Sequence, residues 1–359
     1  MKPIVLLSTL LAFTACTASD PLTIQTTAGK VRGFEQEGTL AFLGIPYAHT
    51  ERFMPPQPVE PWDTIRLCDH WGPMTMQPTR EPMSEDKMSE QPCVLNVWTT
   101  DTQEHKPVML WLHGGGYAMG ASSELPFYDG TNLAKKDVVL VSINHRLNVL
   151  GFLDISDFGE KYKYSASCGV LDMIKALEWV NRNIASFGGD PDNVTIFGQS
   201  GGGGKVNILL DAPKAKGLFH KGIIESGSMI NFMDKDLARQ MGRLTVQNLG
   251  LNEKTIDAIQ TIPYSELLNA ASEAVLASYP DNMFYRIYGC GMWFGPEVDG
   301  EVIPFQPSDP RVAELSKGIP TIIGCTSSEA GMLKGVYANA DIRYNLGDTR
   351  QYLYVFAKP

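Results

Sequence analysis

Apolar and polar positions alternate along this chain in two rhythms. "KPVMLWLH" at 106–113 and "DVVLVSINHR" at 137–146 are continuous apolar runs bounded by Gly, Asp and Lys. Such runs predict strands covered on both faces, as in a parallel sheet. "LDMIKALEWVNRNIASF" follows, with Leu171, Ile174, Leu177 and Ile184 at helical spacing and Trp179 and Val180 beside them. That spacing predicts an amphipathic helix. "FGGDPDN" ends it, and "VTIFGQ" and "KGIIESG" predict further strands. Residues 237–251 and 265–277 predict helices, and "IPTIIGCT" and "QYLYVFA" complete the series. Alternation of strand and helix predicts an α/β fold with a mostly parallel sheet. Upstream, "LTIQTTAGKVRGF" alternates as an antiparallel hairpin expected on the edge of that sheet. The proline-rich stretch 44–62 is expected to run extended over the surface. No linker-like segment interrupts residues 19–359, so they read as one domain.

Composition narrows the partners. The 359 residues are 43% hydrophobic and 19% charged, with 40 acidic against 30 basic side chains and a net charge of -10. This is a chain with a sizeable core and no nucleic-acid-binding surface. The leader differs. "MKPIVLLSTLLAFTAC" carries one lysine and an apolar run too short to span a bilayer, and residues 1–18 read as an export signal. "FTAC" resembles the lipobox of bacterial lipoproteins, with cleavage before Cys16 and lipid on that cysteine; Phe13 departs from the usual Leu. The expected destination is the bacterial cell envelope (periplasm or outer membrane) or the medium, with membrane contact only through that anchor. The other cysteines are Cys68, Cys93, Cys168, Cys290 and Cys325, and their spacings match no metal motif. Cys168 and Cys325 read as small buried hydrophobes.

One stretch resists a purely architectural explanation. "FGQSGGGGKV" surrounds Ser200 with glycines between a predicted strand and an apolar segment. Gly198-Gln199-Ser200-Gly201-Gly202 fits G-x-S-x-G, the elbow that presents a nucleophilic serine at the top of a sheet. "WLHGGGYAMG" at 111–120 also follows a strand, and its glycines would expose backbone N–H groups as an oxyanion hole requires. A plain flexible turn explains one glycine there easily and three poorly.

With these two motifs the chain resembles the type-B carboxylesterases, the family that includes the cholinesterases. The matching strings include "FLGIPYA", "ERFMPPQPVEPW", "MSEQPCVLNVWT", "LHGGGY", "SINHRLNVLGFL", "ALEWVNRNIASFGGDPDNVTIFGQSGGG", "IIESGS" and "TSSEAG", in family order from about residue 22 onward. The resemblance implies an α/β-hydrolase with a central twisted sheet flanked by helices. It implies hydrolysis of a small-molecule carboxylic ester through an acyl-serine, without cofactor or metal. Ser200 matches the nucleophile, Glu329 the acid that orients a histidine, and Gly115, Gly116 and Gly201 the oxyanion donors. Arg146 and Glu90 fall where the family has a buried ion pair, Ser226 falls beside the active-site floor, and His220 reads as structural. Met229, Phe232 and Met233 follow "ESGS" as acyl-pocket candidates or as ordinary loop packing. No Trp lies in 81–93, where cholinesterases place theirs for the choline cation.

Two departures matter. The family order is serine, acid, histidine, yet His49, His70, His105, His113, His145 and His220 all precede Glu329. "QYLYVFAKP" resembles the strand before the family's histidine loop. The expectation is a shortened reading of a longer enzyme, lacking the C-terminal part of the family fold and nearly inactive as it stands. A catalytically dead descendant, a non-catalytic cholinesterase-like binding protein, and an amidase or peptidase are the alternatives. Pro92 occupies the place of a family disulfide cysteine, with Cys93 displaced by one. One position along a strand turns a side chain to the other face, so no standard disulfide is expected from Cys93.

Overall fold

The two long apolar runs become neighbours inside an eight-stranded sheet, in a computed structural model that describes residues 20–78, 87–229, 231–278 and 294–326. Along the chain its strands are β1 (Phe34–Gln36), β2 (Thr39–Pro46), β3 (Val94–Thr99) and β4 (Lys106–Leu112). They continue as β5 (Val139–Ile143), β6 (Gly189–Gln199), β7 (Lys221–Glu225) and β8 (Thr321–Gly324). The spatial order is β1-β2-β3-β5-β4-β6-β7-β8. From β5 to β8 every pairing is parallel, and from β5 back to β1 every pairing is antiparallel. The parallel half is therefore built from the runs whose continuous apolarity predicted it.

Alternate strand positions feed two cores. Phe42, Val97, Val108, Leu110 and Ile196 pack on one face with Met173, Leu177 and Val180 of helix α1 (Cys168–Asn183). Ala41, Leu43, Trp98 and Leu140 form a smaller cluster with Ala134. The period of two along each strand explains this division. Helix α1 tightens into a turn at Ile184–Phe187 and stops at Gly188, whose φ of 78° is left-handed. Three further long helices among the described residues are α2 (Gly201–Asp211), α3 (Lys235–Asn248) and α4 (Tyr264–Ser278).

The structure corrects several expectations. The first hairpin, Thr23–Gln25 with Lys30–Arg32, is antiparallel but belongs to a separate three-stranded sheet with Ile65–Leu67. The edge of the large sheet is already taken by β1, which pairs back on β2. Stretch 44–62 is only partly superficial. Ile45, Tyr47, Ala48 and Phe53 are buried, and the Tyr47 hydroxyl donates to the Asn144 carbonyl at 2.7 Å. Cys168 is buried as expected, but Cys325 is exposed. It follows the edge strand β8, where Ile322 and Ile323 are 67% and 63% exposed.

The expected Arg146–Glu90 pair does not form. Arg146 is satisfied by Asp172 instead, through Nε to Oδ2 at 2.8 Å and Nη2 to Oδ1 at 2.6 Å. Its Nη1 donates to the carbonyls of Glu51 and Met54 at 2.9 and 2.8 Å. That leaves no geometry for Glu90, which pairs with Arg52, Nε to Oε2 at 2.5 Å. Arg146 and Asp172 are buried almost completely, and the paired carboxylate raises the guanidinium's pKa despite burial. Cys16, Cys290 and Glu329 lie outside the described residues.

Candidate active site

Strand β4 is where the sheet's winding reverses: the chain goes from β4 to β5 on one side and then crosses to β6 on the other. In open α/β sheets, ligands bind beyond the carboxyl ends of strands at such a switch point. Gly114, Gly115 and Gly116 follow the carboxyl end of β4, and Ser200 follows that of β6.

Ser200 is the N-cap of α2, with φ 56° and ψ -123°. This conformation is costly for a residue with a Cβ, and the surroundings enforce it. The Ser200 N–H donates to the Glu225 carbonyl at 2.8 Å, and its carbonyl accepts from the Gly204 N–H at 3.1 Å. A short side chain on an exposed corner is the result, with the serine open to solvent. Ser226 follows the carboxyl end of β7. Its N–H donates to the Gly324 carbonyl at 2.7 Å, and a methyl on the next residue, Gly227, would lie 2.0 Å from the Ser200 carbonyl oxygen.

The elbow meets the glycine loop directly. A Cβ on Gly201 would lie 2.4 Å from both the nitrogen and the Cα of Gly116. Gly115 and Gly116 have φ of 86° and 63°, and above Gly116 the space is open. Among the described residues none accepts a hydrogen bond from the Gly115 or Gly116 N–H. The Gly201 N–H, at the first helical position, has no intrahelical acceptor. The Gly116 and Gly201 peptides are thus brought together at the serine's corner.

Several residues that sequence reasoning passed over hold this loop. Gln77 accepts from the Gly120 N–H at 2.7 Å and donates to the Gly120 carbonyl at 3.1 Å. Asn148, itself at φ 48°, donates its side-chain amide to Met76 and Ala118 carbonyls at 2.8 and 3.2 Å. Its backbone N–H reaches the Tyr117 carbonyl at 2.7 Å. Lys205, fully buried in α2, donates from Nζ to the His113 carbonyl at 2.8 Å.

Of the pocket candidates, Met229 comes closest to the elbow. The Tyr117 hydroxyl donates to Met229 Sδ at 2.8 Å, and both atoms stand over Gly204, where a Cβ would be 2.4 Å from that hydroxyl. Phe232 is buried in the core, and Met233 pairs its backbone with the segment at Pro296 and Glu297.

The histidines have other partners. His113 and His145 are buried and stacked, ring centroids 5.3 Å apart. Each Nδ1 donates to a backbone carbonyl, of Gly114 and of Arg146, at 2.8 Å. Burial, then the Lys205 charge, hold both rings well below the usual histidine range. His220 accepts from the Val194 N–H at 3.1 Å, an architectural role as expected. Among the described residues no histidine hydrogen-bonds to Ser200, and no group of His, Cys, Asp and Glu could hold a metal ion.

The sequence profile of the carboxylesterase family matches residues 20–353. Para-nitrobenzyl esterase of Bacillus subtilis (strain 168) is 38% identical over 316 residues, covering 85% of this chain and 62% of its own. Liver carboxylesterase of Sus scrofa is 33% identical over 368 residues, covering 93% and 63%. This chain therefore spans less than two thirds of the length of either relative. A solved PNB esterase superposes with a TM-score of 0.78 at 38% identity, over 87% of this chain and 65% of that one. An esterase from Clostridium hathewayi that can hydrolyze aliphatic aromatic polyesters gives 0.72 at 34% identity, over 94% and 73%. A family match over residues 20–353, relatives above 30% identity and superposition on solved esterases lead to one assignment: the chain belongs to the carboxylesterase family and has the α/β-hydrolase fold.

Proposed function

We propose that this chain carries the acyl-transfer half of a serine carboxylesterase site, with Ser200 as nucleophile and the amides of Gly115, Gly116 and Gly201 as oxyanion donors. The observation that supports it best is the contact of Gly201 with Gly116, which places the serine's corner against unbonded amides. In this reading the Ser200 hydroxyl gives its proton to a base as it attacks an ester carbonyl, the oxyanion is met by the three N–H groups, and the alkoxide takes that proton back and leaves as the alcohol. One such donor is worth roughly 3–4 kcal/mol of barrier. Water then releases the acyl group by the reverse geometry. Glu329 is proposed as the orienting acid. The substrate is a small to medium carboxylic ester, with Tyr117 and Met229 as the nearer part of its wall.

The base is the weak element. Serine attacks slowly without a proton acceptor in reach, and loss of the histidine in a comparable hydrolase costs on the order of 10⁶ in kcat. We therefore expect slow hydrolysis by this chain alone. Export through the leader, with lipid on Cys16, is part of the proposal and is checked by the mass of the mature N-terminus.

Fluorophosphonate labelling tests the reading. The expected result is slow labelling within peptide 198–205, accelerated by added imidazole as a free base and abolished in Ser200→Ala. A chain that never labels, with or without imidazole, overturns the esterase reading and favours a non-catalytic binding role.

A further inference from the structure

The glycine loop has an unusual support from below. Lys205 sits one turn into α2, wholly enclosed, and its Nζ reaches across to the carbonyl of His113, the residue immediately before Gly114. The groups facing it from the packed elements are His113 at the end of β4, His145 beyond β5, and Glu124 in the segment after the loop. The two rings stack on each other with both Nε2 atoms buried and without a hydrogen-bond partner among the described residues. Since each Nδ1 faces a carbonyl and must donate, each Nε2 carries only a lone pair. The trio of Lys205, His113 and His145 therefore brings one ammonium and two neutral imidazoles to the His113 carbonyl, next to the glycine loop.

We propose that Lys205 is a positioning residue for the glycine loop: its donation to the His113 carbonyl fixes the peptide entering Gly114 and so the direction of the Gly115 and Gly116 N–H groups. The loop's three positive-φ glycines, Gly115, Gly116 and Gly120, have little torsional preference of their own, so its aim is set by what it is tied to. Gln77 and Asn148 tie its far side. Lys205 ties the near side, and it does so from the same helix whose first turn begins at Gly201. Elbow and loop are thereby referenced to one rigid element, the arrangement a preorganised donor set requires. The role rests on reading the loop as an oxyanion hole.

The bond is also titratable. Burial lowers the Lys205 ammonium to about 7, with the Glu124 charge pulling the other way. Both histidines are held far enough down that Lys205 is the member of the trio that changes charge near neutrality. A charge-assisted hydrogen bond is roughly twice as strong as a neutral one, so the loop is held more firmly below neutral pH than above it.

Hydrogen exchange on the full chain tests this without relying on activity. Lys205→Met keeps the stem and removes the donor. The expected result is exchange at 114–117 faster by roughly ten- to hundredfold, the loss of one hydrogen bond to a charged group, while amides of β6 and α2 stay unchanged. In the wild type, loop exchange corrected for intrinsic base catalysis is expected to step upward between about pH 6 and 8, and that step is absent from Lys205→Met. A flat wild-type profile, or a loop unchanged in the variant, overturns the assignment. Should the variant not fold, the wild-type profile alone decides. Positive exchange with no labelling of Ser200 would leave the anchor standing and remove the esterase reading instead.

Discussion

A methyl group on Gly202 would lie 2.0 Å from the carbonyl oxygen of Leu112. Helix α2 thus crosses the end of β4 at a separation that admits only hydrogen. The close crossing brings the serine's helix onto the strand that supplies the loop.

Gly202→Ala is therefore expected to destabilise the fold by about 1–3 kcal/mol or more, since backbone has to move. Urea unfolding reads the change directly. A variant as stable as the wild type would show that the helix can lift off the strand at no cost.

Asp172→Asn addresses the buried pair. It leaves the Arg146 guanidinium enclosed with Glu51 and Met54 carbonyls but without its counter-charge. Breaking a buried pair from one side costs about 3–5 kcal/mol. Glu90→Gln, at a carboxylate that is itself 33% exposed, is expected to cost less. Thermal unfolding of the two variants side by side checks the order, and equal losses would contradict the pairing described here.

Glu297 gives a pH prediction. It is 2% exposed, and burial, then the neighbouring Asp154 charge, push its carboxyl up to about 9. The folded state keeps a proton that the unfolded chain has released above its ordinary carboxyl range. Between those limits the unfolded chain binds fewer protons, so this group makes stability fall as pH rises. Glu297→Gln removes the titration. Its stability relative to wild type is expected to grow steadily from pH 5 to pH 9, by about 1 kcal/mol or more over that range. Denaturant melts at several pH values measure it, and a difference independent of pH would show that the carboxyl is ionised in the fold.

The sequence carried the fold where local pattern and tertiary demand agree. Continuous apolarity at 106–113 and 137–146 marked strands covered on both faces, and the glycines around Ser200 marked the turn that presents the serine. What escaped it depends on partners distant in the chain. Arg146 was matched with Glu90, whereas Asp172 in α1 takes the guanidinium, a choice made by helix placement and not by motif. The hairpin at 23–32 alternates as an edge strand should, and nothing local says which sheet it joins. Nothing in the local pattern singles out Lys205, whose partner, the His113 carbonyl, is brought to it only where β4 ends.

The order of strands has a consequence for assembly. Loop and elbow are neighbours in space because β6 lies against β4, yet the chain between them must first place β5 on the opposite flank and return through α1. Contacts this far apart in sequence form late. Reactivity at the corner is therefore a signal of finished folding: an intermediate that has only its first strands and helix α1 in place has neither half of the corner opposed to the other. A probe that reacts at Ser200 would count completed molecules during refolding, and circular dichroism, which registers helix regardless of docking, would run ahead of it.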